Sequence, residues 1–401
     1  MRYLADLAVD PKQVERVTER VGAERVAERD TRAAAFGALP LAEKFRPPPG
    51  QAAPDLAVVM ADGGRLQILE RSPPDAVAAD LPRPGPEPVA GAGAEWDEEP
   101  APAAGHWRED KVALLLTMHS AVSAADPCPD VPAAFLDVVR IPELARQLKK
   151  NARPAEDAVA DSDAPAAAAE ALQEQAYQPP QVLTRQVVAS RGRWPAFAPL
   201  VAAAAWALAL QGAARRAVVG DGSANNWALQ RRFFGSFVPV LDFIHALSYV
   251  FAAATAGRKF AAGWQCYREW IAWVWKGQVS LVIAALRQRQ TELGLPEKDE
   301  AETSPRQVVS KAMAYLENHQ DKMQYDAYRR EGLPITSSLM ESAVKQINQR
   351  VKGSEKFWSE AGSEAVLQLR ADQLSDGEPL AAFWERRQAA ATGQRRYRRA
   401  G

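Results

Sequence analysis

The stretch AVVGDGSANNWALQRRFFGSFVPVLDFIHA, residues 217–246, decides the fold. Two short apolar runs, Ala217 to Val219 before Gly220 and Phe237 to Leu241 before Asp242, are rich in β-branched residues and bounded by Gly and Pro, as buried strands are. One helix fits between them, Asn225 to Phe234. Strand, helix, strand makes a βαβ unit whose strands run parallel and end at the same edge, so Asp221 and Asp242 face one crevice. Ligands of open α/β sheets bind just outside such strand ends. His245 follows Asp242 by about one helical turn. Taken singly, each acid also has a structural reading, Asp-Gly as a turn and a strand-closing Asp as a helix cap.

Upstream, DLAVVMADGGRLQIL at 55–69 reads as a strand with Asp62 in its middle or at a bend, and a hairpin turn at Asp62-Gly63-Gly64 fits the local sequence equally well. KVALLLTM at 111–118 and QVVAS at 186–190 are further strands. Residues 133–150 read as a helix, and the Ala-rich segment from Trp194 to Arg215 reads as a buried helix feeding the strand before Asp221. Residues 72–105 and 151–180 are dominated by Pro, Ala, Gly and acids, with too few large apolar groups to order themselves. They are expected as disordered loops within one core spanning 51–246. Ahead of it, residues 1–50 carry a charged pattern expected to form one or two exposed helices over 11–45.

Beyond Ala246 no strand pattern appears, and residues 247–333 read as an all-helical insertion. Trp264, Trp270, Trp273 and Trp275 lie at helical spacing and suit either a buried core or the stacking of nucleotide bases. His319 sits in a polar helix and is read as a surface residue. Then GLPITSSLMESAVKQINQRVKGSEKFW at 332–358 opens a region, 334–385, built on one helix. With Leu339, Ala343, Val344, Ile347 and Val351 on its inner side, Glu341, Lys345, Asn348 and Lys352 line another face, one acid followed by a basic ridge. Ser338 and Glu341 also satisfy the S-x-x-E capping box, in which Glu341 turns back to its own helix start.

These motifs in this order, DGGRLQ at 62–67, GDG at 220–222, LDFIHA at 241–246 and SSLMES followed by RVKGSEKFW at 337–358, resemble the DDE transposases of bacterial insertion sequences, most closely the ISKra-type group, over residues 15–385. The resemblance implies a ribonuclease H-like α/β fold, a mixed sheet flanked by helices, in which the first strand lies beside the one ending at Asp221. It implies a catalytic triad of Asp62, Asp221 and Glu341 holding two Mg²⁺ or Mn²⁺ ions, with Asp62 bridging them and Asp242 and His245 as accessory groups nearby. Hard divalent cations take anionic oxygen ligands, and a metal pair stabilises both the attacking and the leaving oxygen of a phosphodiester. The implied activity is cleavage and strand transfer at element ends by a bacterial, cytoplasmic, nucleoid-associated protein acting as a homodimer or larger assembly on DNA. Lys345, Asn348, Arg350, Lys352 and Lys356 are the candidate DNA contacts, and the tail 386–401, with QRRYRR at 394–399, is either a further one or a solvated end.

Residues 1–50 show neither a helix-turn-helix nor a zinc-ligand set and are expected as a remnant of a DNA-recognition region. A truncated or inactive transposase-derived DNA-binding protein is therefore an alternative, and a metal-dependent phosphohydrolase acting on small esters is a more distant one. Composition is neutral on the choice: 401 residues carry a formal charge of -1, so any nucleic-acid footprint is local. Cys128 and Cys266, far apart, support neither a disulfide framework nor a zinc site. The run Leu200 to Leu210 is shorter than the roughly 20 residues that span a bilayer, so no membrane partner is expected.

Overall fold

A computed structural model describes residues 10–68, 96, 107–151, 178–352 and 357–390. Its strands are β1 (Leu56–Ile68), β2 (Trp107–His119), β3 (Gln181–Ser190), β4 (Arg215–Gly220), β5 (Val238–Leu241) and β6 (Phe357–Trp358). The described helices are α1 (Pro11–Ala38), α2 (Leu41–Lys44), α3 (Arg140–Asn151), α4 (Trp194–Ala207), α5 (Ala224–Phe233), α6 (Phe243–Thr255) and α7 (Phe260–Trp275). They continue as α8 (Val279–Leu293), α9 (Pro305–His319), α10 (Tyr325–Arg330), α11 (Ser338–Val351), α12 (Glu360–Leu374) and α13 (Pro379–Ala389).

The strands form one mixed sheet in the order β3-β2-β1-β4-β5, with β6 against the far end of β1. The β1–β2 and β2–β3 pairs are antiparallel, while β1–β4 and β4–β5 are parallel. The chain is thus an α/β protein with an open mixed sheet flanked by helices. Strand alternation divides its core. Leu56, Val58 and Met60 of β1, with Val112 and Leu114 of β2 and Val219 of β4, pack beneath α6, α7 and α11. Ala57, Val59 and Ala61, with Val218, pack against α4 and α5 on the opposite face. Position 62 belongs by parity to the first face.

β1 does not turn at Asp62-Gly63-Gly64. It continues to Ile68, pairing Asp62 with Val112, Gly63 with Lys111 and Gly64 with Asp110, which removes the hairpin alternative. Glycine is required there for close approach, since a Cβ on Gly64 would lie 2.8 Å from each carboxylate oxygen of Asp110. Strands expected at 111–118 and 186–190 run longer, because their polar ends still complete the ladder. The helix expected over 133–150 is broken into a 3-10 turn, Ala133–Leu136, and α3. Asp137 stops the first piece by accepting the Val139 and Arg140 amides at 2.8 and 2.9 Å, and Pro142, which has no N–H, falls in the first turn of the second. Similarly, the Trp194 helix ends at Ala207, where Ala209 turns into the left-handed region at φ 54° ahead of β4.

The N-terminal region is more tightly held than exposed helices would be. Arg25 of α1 is 2% exposed, and its Nε and Nη2 donate to Asp372 of α12 at 2.8 and 3.1 Å. Breaking a buried pair strands the other charge, so Arg25→Ala is expected to cost about 3–5 kcal/mol in urea unfolding and to raise hydrogen exchange along α1. The tryptophans follow the core reading: Trp270 and Trp275 are buried, Trp264 and Trp273 pack half-buried against them, and Trp275 Nε1 donates to the Cys128 carbonyl at 2.7 Å. Of the expected basic tail, residues 386–389 complete α13 and 391–401 lie outside the described residues. The expected loops 72–105 and 151–180 also lie outside them, apart from Trp96, Asn151 and residues 178–180. No helix among the described residues is long and apolar enough to cross a membrane.

Candidate metal centre

The sheet register itself lines up the acids. Met60 pairs with Val219 across β1 and β4, and Gly220 pairs with Leu241 across β4 and β5. Carried one or two residues further, these ladders set Asp62 level with Asp221 and Asp221 level with Asp242, and the Asp242 amide still donates to the Gly220 carbonyl at 2.8 Å. Adjacent strands lie about 4.8 Å apart, so the ends of β4 and β5 bring Asp221 and Asp242 level with Asp62 in the middle of β1.

Each acid is held differently. Asp62 Oδ1 accepts the Gly63 amide at 2.7 Å. Asp221 Oδ1 accepts from the Ser223 amide and from Asn226 Nδ2, both at 2.9 Å. The Asp221 carbonyl takes the Tyr315 hydroxyl at 2.7 Å, and Gly222 follows at φ 101°, where a Cβ would lie 2.9 Å from the Tyr315 ring. His319 is 9% exposed and not a surface residue: Nδ1 faces the Tyr315 carbonyl at 2.7 Å and Nε2 the Gly222 carbonyl at 3.1 Å. Its partners are backbone carbonyls, one of them in a distant loop, which side-chain pattern does not disclose. Helix α9 of the all-helical region thereby grips the turn that carries Asp221.

Asp242 is wholly buried and saturated with donors. Oδ1 caps α6 by accepting the Ile244 amide at 2.7 Å, and Oδ2 accepts the Ser337 amide at 3.2 Å together with the Ser337 hydroxyl. The end of β5 is thereby latched to the start of α11. Ser337→Ala removes one donor from this buried carboxylate and is expected to cost about 1–3 kcal/mol, read as a lower urea midpoint at unchanged slope.

That latch also settles the alternative for Glu341. Ser337, not Ser338, is the N-cap of α11, and its hydroxyl goes to Asp242 rather than to its own helix. Glu341 therefore stands in the fourth helical position, its amide on the Ser337 carbonyl at 3.2 Å, and no capping box forms. The side chain instead joins the acids. Ligand atoms of Asp242, His245 and Glu341 all lie within 4.8 Å of one another.

The electrostatics report one crowded cluster. Burial, then Asp221, pushes the Asp62 carboxyl up to about 7. Burial, then Asp242 and Asp62 among its neighbours, pushes Glu341 up to about 8. His245 rises above the ordinary imidazole value: burial alone would depress it, but Asp242, Asp221, Glu341 and Asp62 outweigh burial. Among the described residues none of the four acids forms an ion pair with Lys or Arg. Asp242, His245 and Glu341 could together hold a divalent cation, with Asp62 and Asp221 as neighbouring acids and Lys345 close enough to Glu341 to oppose its rise.

The basic ridge is partly present. Lys345 is half-buried one turn beyond Glu341, Asn348 has a buried Oδ1 with no hydrogen-bond partner among the described residues, and Arg350 is exposed in the last turn. Lys352, at the C-cap, lies close enough to Asp110 to lower its pKa, and Lys356 lies outside the described residues. Glu-Asp-Lys at a strand start does not mark Asp110 as special, yet it is fully buried and neither of its carboxylate oxygens is hydrogen-bonded to another of the described residues. Comparison of the chain with family models, with curated proteins and with solved structures returns no match.

Proposed function

We propose that this chain is a metal-dependent DNA transposase of the DDE type on a ribonuclease H-like scaffold. The observation that carries the reading is convergence: of three acids spread over some 280 positions, Asp62 lies within electrostatic reach of both Asp221 and Glu341 on one face of the sheet. Strand order supports it too, with an antiparallel meander whose first strand lies beside the parallel strand ending at the second acid.

On this reading Asp62, Asp221 and Glu341 would hold two Mg²⁺ or Mn²⁺ ions, whose charge would stabilise the attacking and leaving oxygens of a phosphodiester. The protein's part is placement. Asn226 and the Ser223 amide fix one oxygen of Asp221, Tyr315 fixes its backbone, and the Ser337–Asp242 latch sets where α11 presents Glu341. Lys345, one turn beyond Glu341 on the same side of α11, is the group this reading assigns to a phosphate of a duplex leaving the centre, whereas Arg350, nine residues from Glu341, faces the other side of the helix. DNA, a homodimer or larger assembly on it, and a cytoplasmic, nucleoid-associated setting belong to this proposal.

The test is incubation of the purified chain with supercoiled plasmid and Mg²⁺ or Mn²⁺. Nicked circles and strand-transfer products, both abolished by chelation, are expected. DNA retention without any nicking would favour the non-catalytic DNA-binding alternative, and hydrolysis of small phosphate esters in place of DNA would favour the phosphohydrolase.

A further inference from the structure

We propose that His245 is a nitrogen ligand of the metal centre, so that the two cation positions differ chemically: one all-oxygen and suited to Mg²⁺, the other carrying imidazole and selective for Mn²⁺. This rests on the reading of the centre as divalent-cation binding.

The geometry comes first. His245 occupies the third position of α6, whose N-cap is Asp242 and whose start is fixed by the Phe243 amide on the Ile335 carbonyl at 2.9 Å. The ring is therefore delivered by a helix anchored at both β5 and the approach to α11. Ring and carboxylate donors of Asp242, His245 and Glu341 lie within 4.8 Å of one another, close to the span of two ligands on one ion with bonds of about 2.1 Å each.

Second, the ring is unclaimed. Only the backbone carbonyl of His245 is hydrogen-bonded, accepting from Ser248 Oγ at 2.7 Å, and neither ring nitrogen has a hydrogen-bond partner among the described residues. A half-buried imidazole is ordinarily oriented by such a bond. His319, one helix away, shows the contrast, with both nitrogens committed to carbonyls.

Third, the acids divide between two positions. Asp242 is spent on four contacts of its own, to Ile244, to Ser337 twice and through its amide to Gly220, so it orients neighbours more than it offers a free oxygen. Asp62 and Asp221 stand level when the β1–β4 register is carried two residues past Met60–Val219 and are close enough to interact electrostatically, while Glu341 and His245 approach together from α11 and α6. The Asp62–Asp221 position thus receives oxygen alone, and the Glu341–His245 position receives oxygen and nitrogen. Mg²⁺ takes oxygen ligands almost exclusively, whereas imidazole favours the later divalent metals.

The experiment uses the full chain and Mn²⁺ alone. Pulsed electron paramagnetic resonance of bound Mn²⁺ is expected to show nitrogen modulation, lost in His245→Gln and shifted when the unmutated protein is labelled with heavy-nitrogen histidine. The labelled wild type needs no variant to fold. By calorimetry, His245→Gln is expected to weaken the tighter Mn²⁺ position at least about tenfold while changing Mg²⁺ affinity by less than about threefold. Bound Mn²⁺ without nitrogen modulation overturns the proposal and leaves a carboxylate centre standing, as does modulation that survives His245→Gln. Failure of the wild type to bind Mn²⁺ at all removes the metal centre and the proposal with it.

Discussion

Glu341→Gln is expected to leave a folded protein whose Mg²⁺- or Mn²⁺-dependent nicking of plasmid DNA falls by about 10³-fold or more, the equivalent of roughly 4 kcal/mol of transition-state stabilisation. The substitution keeps volume and removes only the charge. Glu341 makes no side-chain hydrogen bond among the described residues, and it sits where burial, Asp242 and Asp62 all disfavour its ionised form. Without divalent cation the variant should therefore melt at a higher temperature than the wild type near pH 8, while the two should converge as divalent cation is added to the wild type. Asp221→Asn is expected to lose nicking as well while remaining folded, because Asn retains the Oδ1 that accepts from Ser223 and Asn226. In Glu341→Gln, gain of stability together with loss of activity separates a catalytic role from a structural one. Unchanged nicking in either variant would end the transposase reading.

Asp110→Asn is expected to stabilise the protein by on the order of 3 kcal/mol at about pH 8 and by little at about pH 4. Burial, reinforced by Glu109, raises this carboxyl from 3.8 to about 7, although its own backbone amide, Lys111 and Lys352 oppose the rise. A carboxyl that holds its proton more tightly in the folded chain penalises folding once pH exceeds the unfolded value. The penalty grows between about 4 and 7 and is complete above. Amide and carboxyl are nearly the same size, so the cradle over Gly64 is kept. Urea titrations of both proteins across that range measure the effect, and a difference independent of pH would show that Asp110 is not the group concerned.

Much of this centre can be read from the chain. Asp221 and Asp242 each come directly after a short apolar run, and parallel strands carry their succeeding residues to one edge. Glu341 is ambiguous in sequence because Ser338-x-x-Glu341 and a site carboxylate share one local pattern, and only the long-range partner of Ser337, Asp242, chooses between them. His319 and Asp110 are illegible for opposite reasons. The histidine's bonds go to backbone carbonyls, which have no side-chain signature, while the aspartate's carboxylate lies against Gly64, its cross-strand partner far away in sequence. Arg25 reads as one of many Arg and Glu residues on a charged helix until Asp372 of α12 meets it.

The alignment of Asp62, Asp221 and Asp242 is set by backbone pairing, so the sheet acts as a ruler for the spacing of charge. Crossover segments between these strands can lengthen or shorten without moving the marks. A single-residue deletion inside β4 is a different matter: it would slide Asp221 by one notch and throw its carboxylate to the α4 side, leaving the other groups in place but mismatched. Length variants of this chain should accordingly accumulate between the strands and be purged within them.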